Sequence, residues 1–264
     1  MKTSNLFLSI CLGISTLCLA ACNYPKDGIQ IKTDNFRDSE KWGKVITRPI
    51  ETSQFSHICL AGNADIKFTQ GDTLSVEAYG NEKAIEATDI RVEGNVLTVS
   101  RKEDIRGNVP HIKLLITAPS IESVEVSGAG DIDFKGETEL SGDLALTISG
   151  AGDIDINKLK CNALSVTING AGDLTAKKIK SEKATMQING TGDIDAEVKA
   201  TDITLTVNGS GDADLDVKCN NLTVTASGTG DVELKGECIT LTKSSGGMAS
   251  IDSRKLNVTN LSIQ

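Results

Sequence analysis

From Leu144 to Leu234 the chain alternates apolar and polar positions in short runs, and pairs of glycines interrupt the runs at regular spacing. Leu144, Leu146 and Ile148 precede one pair, and Ile154 and Ile156 follow it. The same figure returns as Leu164, Val166 and Ile168, then Leu174 and Ala176. It returns again as Ala184, Met186 and Ile188, then Ile194 and Ala196. Ile203, Leu205 and Val207 with Ala213 and Leu215, and Leu222, Val224 and Ala226 with Val232 and Leu234, complete the series. Thr147, Thr167, Gln187, Thr206 and Thr225 hold one polar alternate position. Period-two runs rich in β-branched residues and bounded by glycines predict half-buried strands, two to a unit.

The unit repeats. "EVSGAGDIDF", "TISGAGDIDI", "TINGAGDLTA", "QINGTGDIDA", "TVNGSGDADL" and "TASGTGDVEL" are six near-copies of one segment. Their first glycines, Gly128, Gly150, Gly170, Gly190, Gly209 and Gly228, are separated by 22, 20, 20, 19 and 19 residues. The second glycines are Gly130, Gly152, Gly172, Gly192, Gly211 and Gly230. Worn copies flank the series at "LAGNADIKF" and "SGGMASID", as terminal caps of a solenoid would. A single unit buries too few aliphatic side chains to offset the entropy of ordering it, so neighbours must stack. Stacking puts equivalent residues in columns ~4.8 Å apart. Crossovers between parallel strands are right-handed, so the sequence predicts an all-β, right-handed parallel β-helix with two main strands per rung. A stack of hairpins or an antiparallel sandwich is the alternative, but identical residues at identical offsets favour columns. Proline stops at Pro119, before the regular repeat, which suits a region where every amide donates to a ladder.

The motif [Ser/Asn]-Gly-[Ala/Ser/Thr]-Gly-Asp reads as a corner between two strands, with glycine permitting positive φ. Ser149, Asn169, Asn189, Asn208 and Ser227 can stack as a polar ladder beside it. A phosphate cradle would need a helix behind the loop, and here a strand follows. Asp131, Asp153, Asp173, Asp193, Asp212 and Asp231 form one acidic column, and Asp133, Asp155, Asp195, Asp214 and Glu233 form a second that Thr175 interrupts. Carboxylates ~4.8 Å apart repel by about 1 kcal/mol in water and several-fold more at lower dielectric, so something must offset them. Two readings compete: each Asp accepts amide hydrogens from its own corner while its charge faces solvent, or the columns ligate calcium. The first is preferred, so no metal site is assigned. Lys158, Lys160, Lys177, Lys178, Lys180, Lys199 and Lys218 collect at the opposite corner as a solvated edge, with anionic lipid or glycan contact as the lesser reading. Cys161, Ser181, Ala200, Cys219 and Cys238 share one column, so Cys219 and Cys238 are neighbours, read as stacked thiols in preference to a disulfide. With Cys59 these cysteines fit no zinc spacing.

Composition narrows the classes. Net charge is −9 and no basic footprint exists, which excludes nucleic acid as an expected partner. The last aromatic residue is Phe134. Residues 1–21 read as an export signal, and "Leu19-Ala20-Ala21-Cys22" resembles the lipobox of bacterial lipoproteins, which makes Cys22 the acylated residue. Residues 22–49 then form a polar tether, 50–126 irregular N-terminal β rungs, and 127–264 the regular helix with its C-terminal cap.

The serial "SGAGD", "NGTGD" and "SGTGD" turns, with "FSHICLAGNADIKFTQGDTLSVEAYG" upstream, resemble the auto-transporter adhesin head GIN domain family of exported bacterial proteins. The resemblance runs from about Ile50 to the C-terminus. It implies a β-helix whose Gly-x-Gly turns join two sheets, a role in cell adhesion, and no catalytic residues or cofactors. The expected protein is a non-enzymatic lipoprotein of the outer membrane, anchored through its N-terminal lipid, at the surface or on the periplasmic side. Its partner is a protein or a glycan, and self-association is left open. The alternatives are an envelope scaffold that binds another membrane protein and, behind it, a β-helix polysaccharide lyase or hydrolase. The lyase reading suffers because a catalytic carboxylate needs surroundings unlike its neighbours', and a uniform ladder offers none.

Overall fold

Why the runs become strands is visible in the burial. Leu144, Leu146, Ile148, Ile154 and Ile156 are all buried while the residues between them face outward, and every later unit repeats this. The computed structural model describes residues 39–263. It is all-β, a parallel β-solenoid of about seven turns.

The strands before each corner are β2 (His57–Leu60), β8 (Ser123–Val126), β10 (Leu144–Ile148), β12 (Ala163–Ile168), β14 (Lys183–Ile188) and β16 (Asp202–Val207). They stack in parallel, in register, as the first sheet. The strands after each corner are β3 (Asp65–Gln70), β9 (Ile132–Glu139), β11 (Ile154–Lys160), β13 (Leu174–Lys180) and β15 (Ile194–Lys199). They form the second sheet in the same manner. The last three strands, β17 (Ala213–Gly228), β18 (Asp231–Gly247) and β19 (Ser250–Ile263), run unbroken round the lysine corner and contribute a limb to each sheet.

The drift in repeat length has a physical origin. Where the interval falls from 20 to 19 residues, the register shifts between Ala176 and Ile179, because two residues there oppose one in β15. A similar shift lies beside Gly136, whose φ is +72°. The repeat therefore shortens by losing bulges and one residue of the connection before Leu144, and the Gly-x-Gly corners keep their register.

The two worn copies sit in the stack. Gly62 and Ala64 lie against Gly128 and Gly130, and Gly247 lies against Gly228. The N-terminal rungs differ from a simple irregular series. β6 (Val96–Arg101) and β7 (Lys113–Ala118) pair in parallel with β2 and β3, on the edges away from β8 and β9. A rung later in sequence thus stands outside an earlier one. Antiparallel strands extend this end: β4 (Ser75–Asn81) on β7, β1 (Val45–Pro49) on β4, and β5 (Thr88–Glu93) on β6. Two short helices, α1 (Ser39–Trp42) and α2 (Glu82–Glu86), accompany them, and α2 buries Ala84 and Ile85. The tether expected over 22–49 accordingly ends early, since Val45–Pro49 is a strand of the sheet. Its polar composition hid this because β1 is an exposed edge. The signal segment, Cys22 and the rest of the tether before residue 39 lie outside the described residues.

Aromatic packing belongs to the first rungs, where the Phe68 and Phe134 rings stack at 5.2 Å between centroids, tilted by 52°. Beyond them the interior is aliphatic, with Ile156 following Phe134 in the column.

The corner glycines are needed for space more than for φ. Of the twelve, Gly228 alone has a φ in the left-handed region, +121°. Each first glycine instead passes under the carbonyl of its predecessor: a Cβ on Gly170 would lie 2.0 Å from the Gly150 oxygen. That carbonyl reaches across to accept the Ala171 N–H at 3.0 Å, so rungs close on each other through the glycine. Gly170→Ala should therefore lower stability by about 3 kcal/mol or more, at the upper end of overpacking costs. Gly142→Ala, where an added Cβ meets nothing within 4 Å, should be near neutral. Urea denaturation midpoints of the two variants distinguish a packing requirement from a general intolerance of alanine.

Candidate functional site

The acid corner is a chain of bonds between rungs. The Asp153 amide donates to Asp131 Oδ1 at 3.0 Å, Asp173 to Asp153 and Asp193 to Asp173 at 2.8 Å each, and Asp212 to Asp193 and Asp231 to Asp212 at 2.7 Å each. The chain starts at Asp65, which accepts the Asp131 amide at 3.4 Å. The expected bond from each carboxylate to its own corner is thus replaced by one to the next rung. The reason is local: the carbonyl of Asp131 turns back to accept from Ile66, leaving the Asp153 N–H without a backbone acceptor. A charged acceptor strengthens each link. The polar ladder beside it forms as the sequence suggests, with Asn189 donating to Asn169 at 2.8 Å, Asn208 to Asn189 at 3.2 Å and Ser227 to Asn208 at 3.0 Å.

The second acidic column is offset by cations that sequence reading did not assign to it. Lys135 pairs with Asp133, Lys235 with Asp214 at 3.0 Å, and Lys255 with Glu233 at 2.5 Å. Asp155 is the weak point of the column. Partial burial, then the Asp133, Asp153 and Asp131 charges, push its carboxyl above the ordinary aspartate value, and Lys135 opposes them only in part. The signal was available for two of the three: Lys135 and Lys235 each stand two residues after an acid on the same strand face, whereas Lys255 follows Ser253 at that spacing. No three His, Cys, Asp or Glu side chains converge to hold a metal among the described residues. The six corner aspartates are brought into one line, with an oxygen of each of the first five directed at the next amide.

At the opposite corner Lys160, Lys180, Lys199 and Lys218 stand in one column, bounded by Glu139 and Glu237. Beside them runs the column Leu140, Cys161, Ser181, Ala200, Cys219, Cys238, Val258. Lys158, Lys177 and Lys178 are displaced from this line, near the bulges of β11 and β13. Cys59, Cys161, Cys219 and Cys238 are all free thiols. Burial raises Cys161 to about 11, and burial with the adjacent Cys238 and Asp202 raises Cys219 to about 12, so neither is a ready nucleophile.

A polar cluster that sequence reading missed lies on the first sheet, where His57 Nδ1 is 2.6 Å from Ser123 Oγ and Nε2 is 3.7 Å from Glu122. It joins residues 66 apart that only the pairing of β2 with β8 brings together. The nearby amides of Ser123 and Ala145 already donate to carbonyls, to Ser56 at 3.3 Å and Glu122 at 2.9 Å. An oxyanion would find no free donor in them.

Fold and corners together define a parallel β-solenoid whose faces carry repeated chemistry. The chain belongs to the family described as "Putative auto-transporter adhesin, head GIN domain", which matches residues 54–198 and 195–264. No curated protein matches it. Among solved structures it is similar to a "putative adhesin" from Bacteroides fragilis NCTC 9343, with 24% identity over 79% of this chain and 96% of that one and a TM-score of 0.72. A "putative lipid binding protein" from Parabacteroides distasonis ATCC 8503 is 20% identical over 82% and 97% of the two chains, with a TM-score of 0.59. A "putative adhesin" from Parabacteroides merdae ATCC 43184 is 23% identical over 80% and 96%, with a TM-score of 0.60. At these identities the likeness is one of fold.

Asp155 gives a pH test. Its folded pKa is raised, so its contribution is fully present below the unfolded value and is lost as pH rises through the folded one. At neutral pH the charged side chain therefore opposes folding. Asp155→Asn should stabilise the protein at pH 7 by up to about 1 kcal/mol, a figure held small by solvent screening. The gain should vanish below about pH 3.9, where free aspartate is itself protonated. Thermal melts of both proteins across that range check the sign.

Proposed function

We propose that the protein is a lipid-anchored, non-enzymatic adhesion or ligand-binding module of the bacterial outer membrane. The observation that carries this reading is the uniformity of the acid corner. A catalytic carboxylate works by differing from its neighbours, and here five successive aspartates make the same bond to the next rung. Such a solenoid presents long polar faces suited to extended, multivalent contact. Membership of an adhesin head family supports the reading, as do neighbours named as adhesins and one named as lipid binding.

Attachment is assigned to Cys22. The Leu19-Ala20-Ala21-Cys22 segment, with its lipobox pattern, supports this assignment. Several acyl chains at ~0.8 kcal/mol per buried methylene hold such an anchor firmly.

Two measurements test this. Cys22→Ser should move the protein from the membrane to the soluble fraction; unchanged fractionation refutes the anchor. Protease added to intact cells should remove the domain, and deletion of the gene should reduce adherence. A protected domain that cross-links to one envelope protein would assign it to a scaffold instead.

A further inference from the structure

The lysine corner holds a groove that nothing in the family description assigns. Its floor is the part of the column beside the lysines from Ser181 through Ala200, Cys219 and Cys238 to Val258, small along most of its length and aliphatic at its C-terminal end. The residue before each floor position supplies one wall, Lys180, Lys199 and Lys218 and then Glu237 and Asn257, and the residue after supplies the other, including Thr201, Asn220 and Ile239. The groove is open to solvent and has a volume of about 680 Å³.

Charge compensation along the ladder is uneven. Lys160 pairs with Glu139 at 3.0 Å and Lys218 with Glu237. Lys180 and Lys199 form no ion pair among the described residues, although the field of Lys199 reaches Glu237. Glu197 and Asp216 line the adjacent cleft on the far side of the lysines and do not line this groove. In a protein of net charge −9, two stacked ammonium groups without a partner leave a local excess of positive charge. The Ser181 hydroxyl, on the floor beside Lys180, is buried without a hydrogen-bond partner.

We infer that this groove binds a linear acidic polysaccharide, its carboxylates or sulfates on Lys180, Lys199 and Lys218 and its hydroxyls on Thr201 and Asn220. A column of cations repeating every ~4.8 Å suits an extended polymer lying along the solenoid axis, whereas a compact anion would use one or two lysines. Single-stranded nucleic acid is disfavoured, because bases are held on aromatic platforms and the last aromatic residue of the chain is Phe134. A peptide adding as a strand needs an open sheet edge, and the rungs from Lys180 to Ile239 that line the groove are paired on both sides, β19 alone being terminal. The inference gives a ligand class to the binding module proposed above, and rests on that reading for its biological setting only.

The test uses the full chain with polygalacturonate, dextran sulfate and neutral dextran as probes. Polygalacturonate and dextran sulfate should bind, more weakly as salt rises, and neutral dextran should not. The pair Lys180→Gln and Lys199→Gln should weaken binding by about tenfold or more, as loss of two charge contacts does. The pair Lys83→Gln and Lys102→Gln, exposed lysines of the N-terminal rungs with the same change in charge, should leave it unaltered. No binding by the wild-type chain, equal loss in both pairs, or tighter binding of polyglutamate or single-stranded DNA at these lysines would overturn the inference. Failure here with cell adherence intact leaves the module reading standing and removes its ligand. Groove-dependent binding by a domain that protease on intact cells cannot reach does the reverse.

Discussion

The structure depends on how closely one rung can approach the next at the corner. Strand pairing sets the spacing on the two sheets, but at a turn the backbone groups point out of the ladder and need other partners. Here the first glycine's carbonyl crosses the next glycine to reach the following amide, an approach that leaves only about 2 Å for a Cβ. The aspartate amide, for which that rung has no carbonyl to offer, is met by the carboxylate of the rung before. Gly, small residue, Gly and Asp are therefore one device, and each copy is completed by its neighbour. That is why the motif is written so many times and why no single copy is a site.

The same geometry sets the electrostatics. In-register stacking forces like charges into columns, and the protein answers column by column. Corner carboxylates are held by amides. The second acidic column is laced with Lys135, Lys235 and Lys255. The lysine column is closed at its ends by Glu139 and Glu237. Where the answer is partial, at Asp155, or missing, at Lys180 with Lys199, the surface departs from its own pattern. Departures from a repeat are where a solenoid can hold individual chemistry.

Much of this was legible in the chain. Alternation of Leu144, Leu146 and Ile148 named the buried face, and the glycine intervals named the columns, so Cys219 and Cys238 could be placed as neighbours from the sequence alone. The N-terminal rungs were not legible, because β6 and β7 carry no Gly-x-Gly mark and stack out of chain order. β1 was hidden by its exposed edge. The corner itself was misread in detail. Glycine pairs suggest positive φ and aspartates suggest local turns, since sequence shows what is adjacent along the chain. The contacts that matter here lie 19 to 22 residues away.

Function on this account is a property of faces, and the faces exist only if the corners stack through their side chains. Amide hydrogen exchange of the native protein tests that most directly, at Asp153, Asp173, Asp193, Asp212 and Asp231. Four are corner residues and Asp231 opens β18; four are exposed and Asp153 is partly exposed, and in an ordinary loop such amides would exchange at nearly the free rate. If each donates to the carboxylate of the preceding rung, they should be protected to the same order as the strand amides of Ile154 and Ile194. Rapid exchange at these five positions, with the strands protected, would contradict the carboxylate ladder and the account built on it.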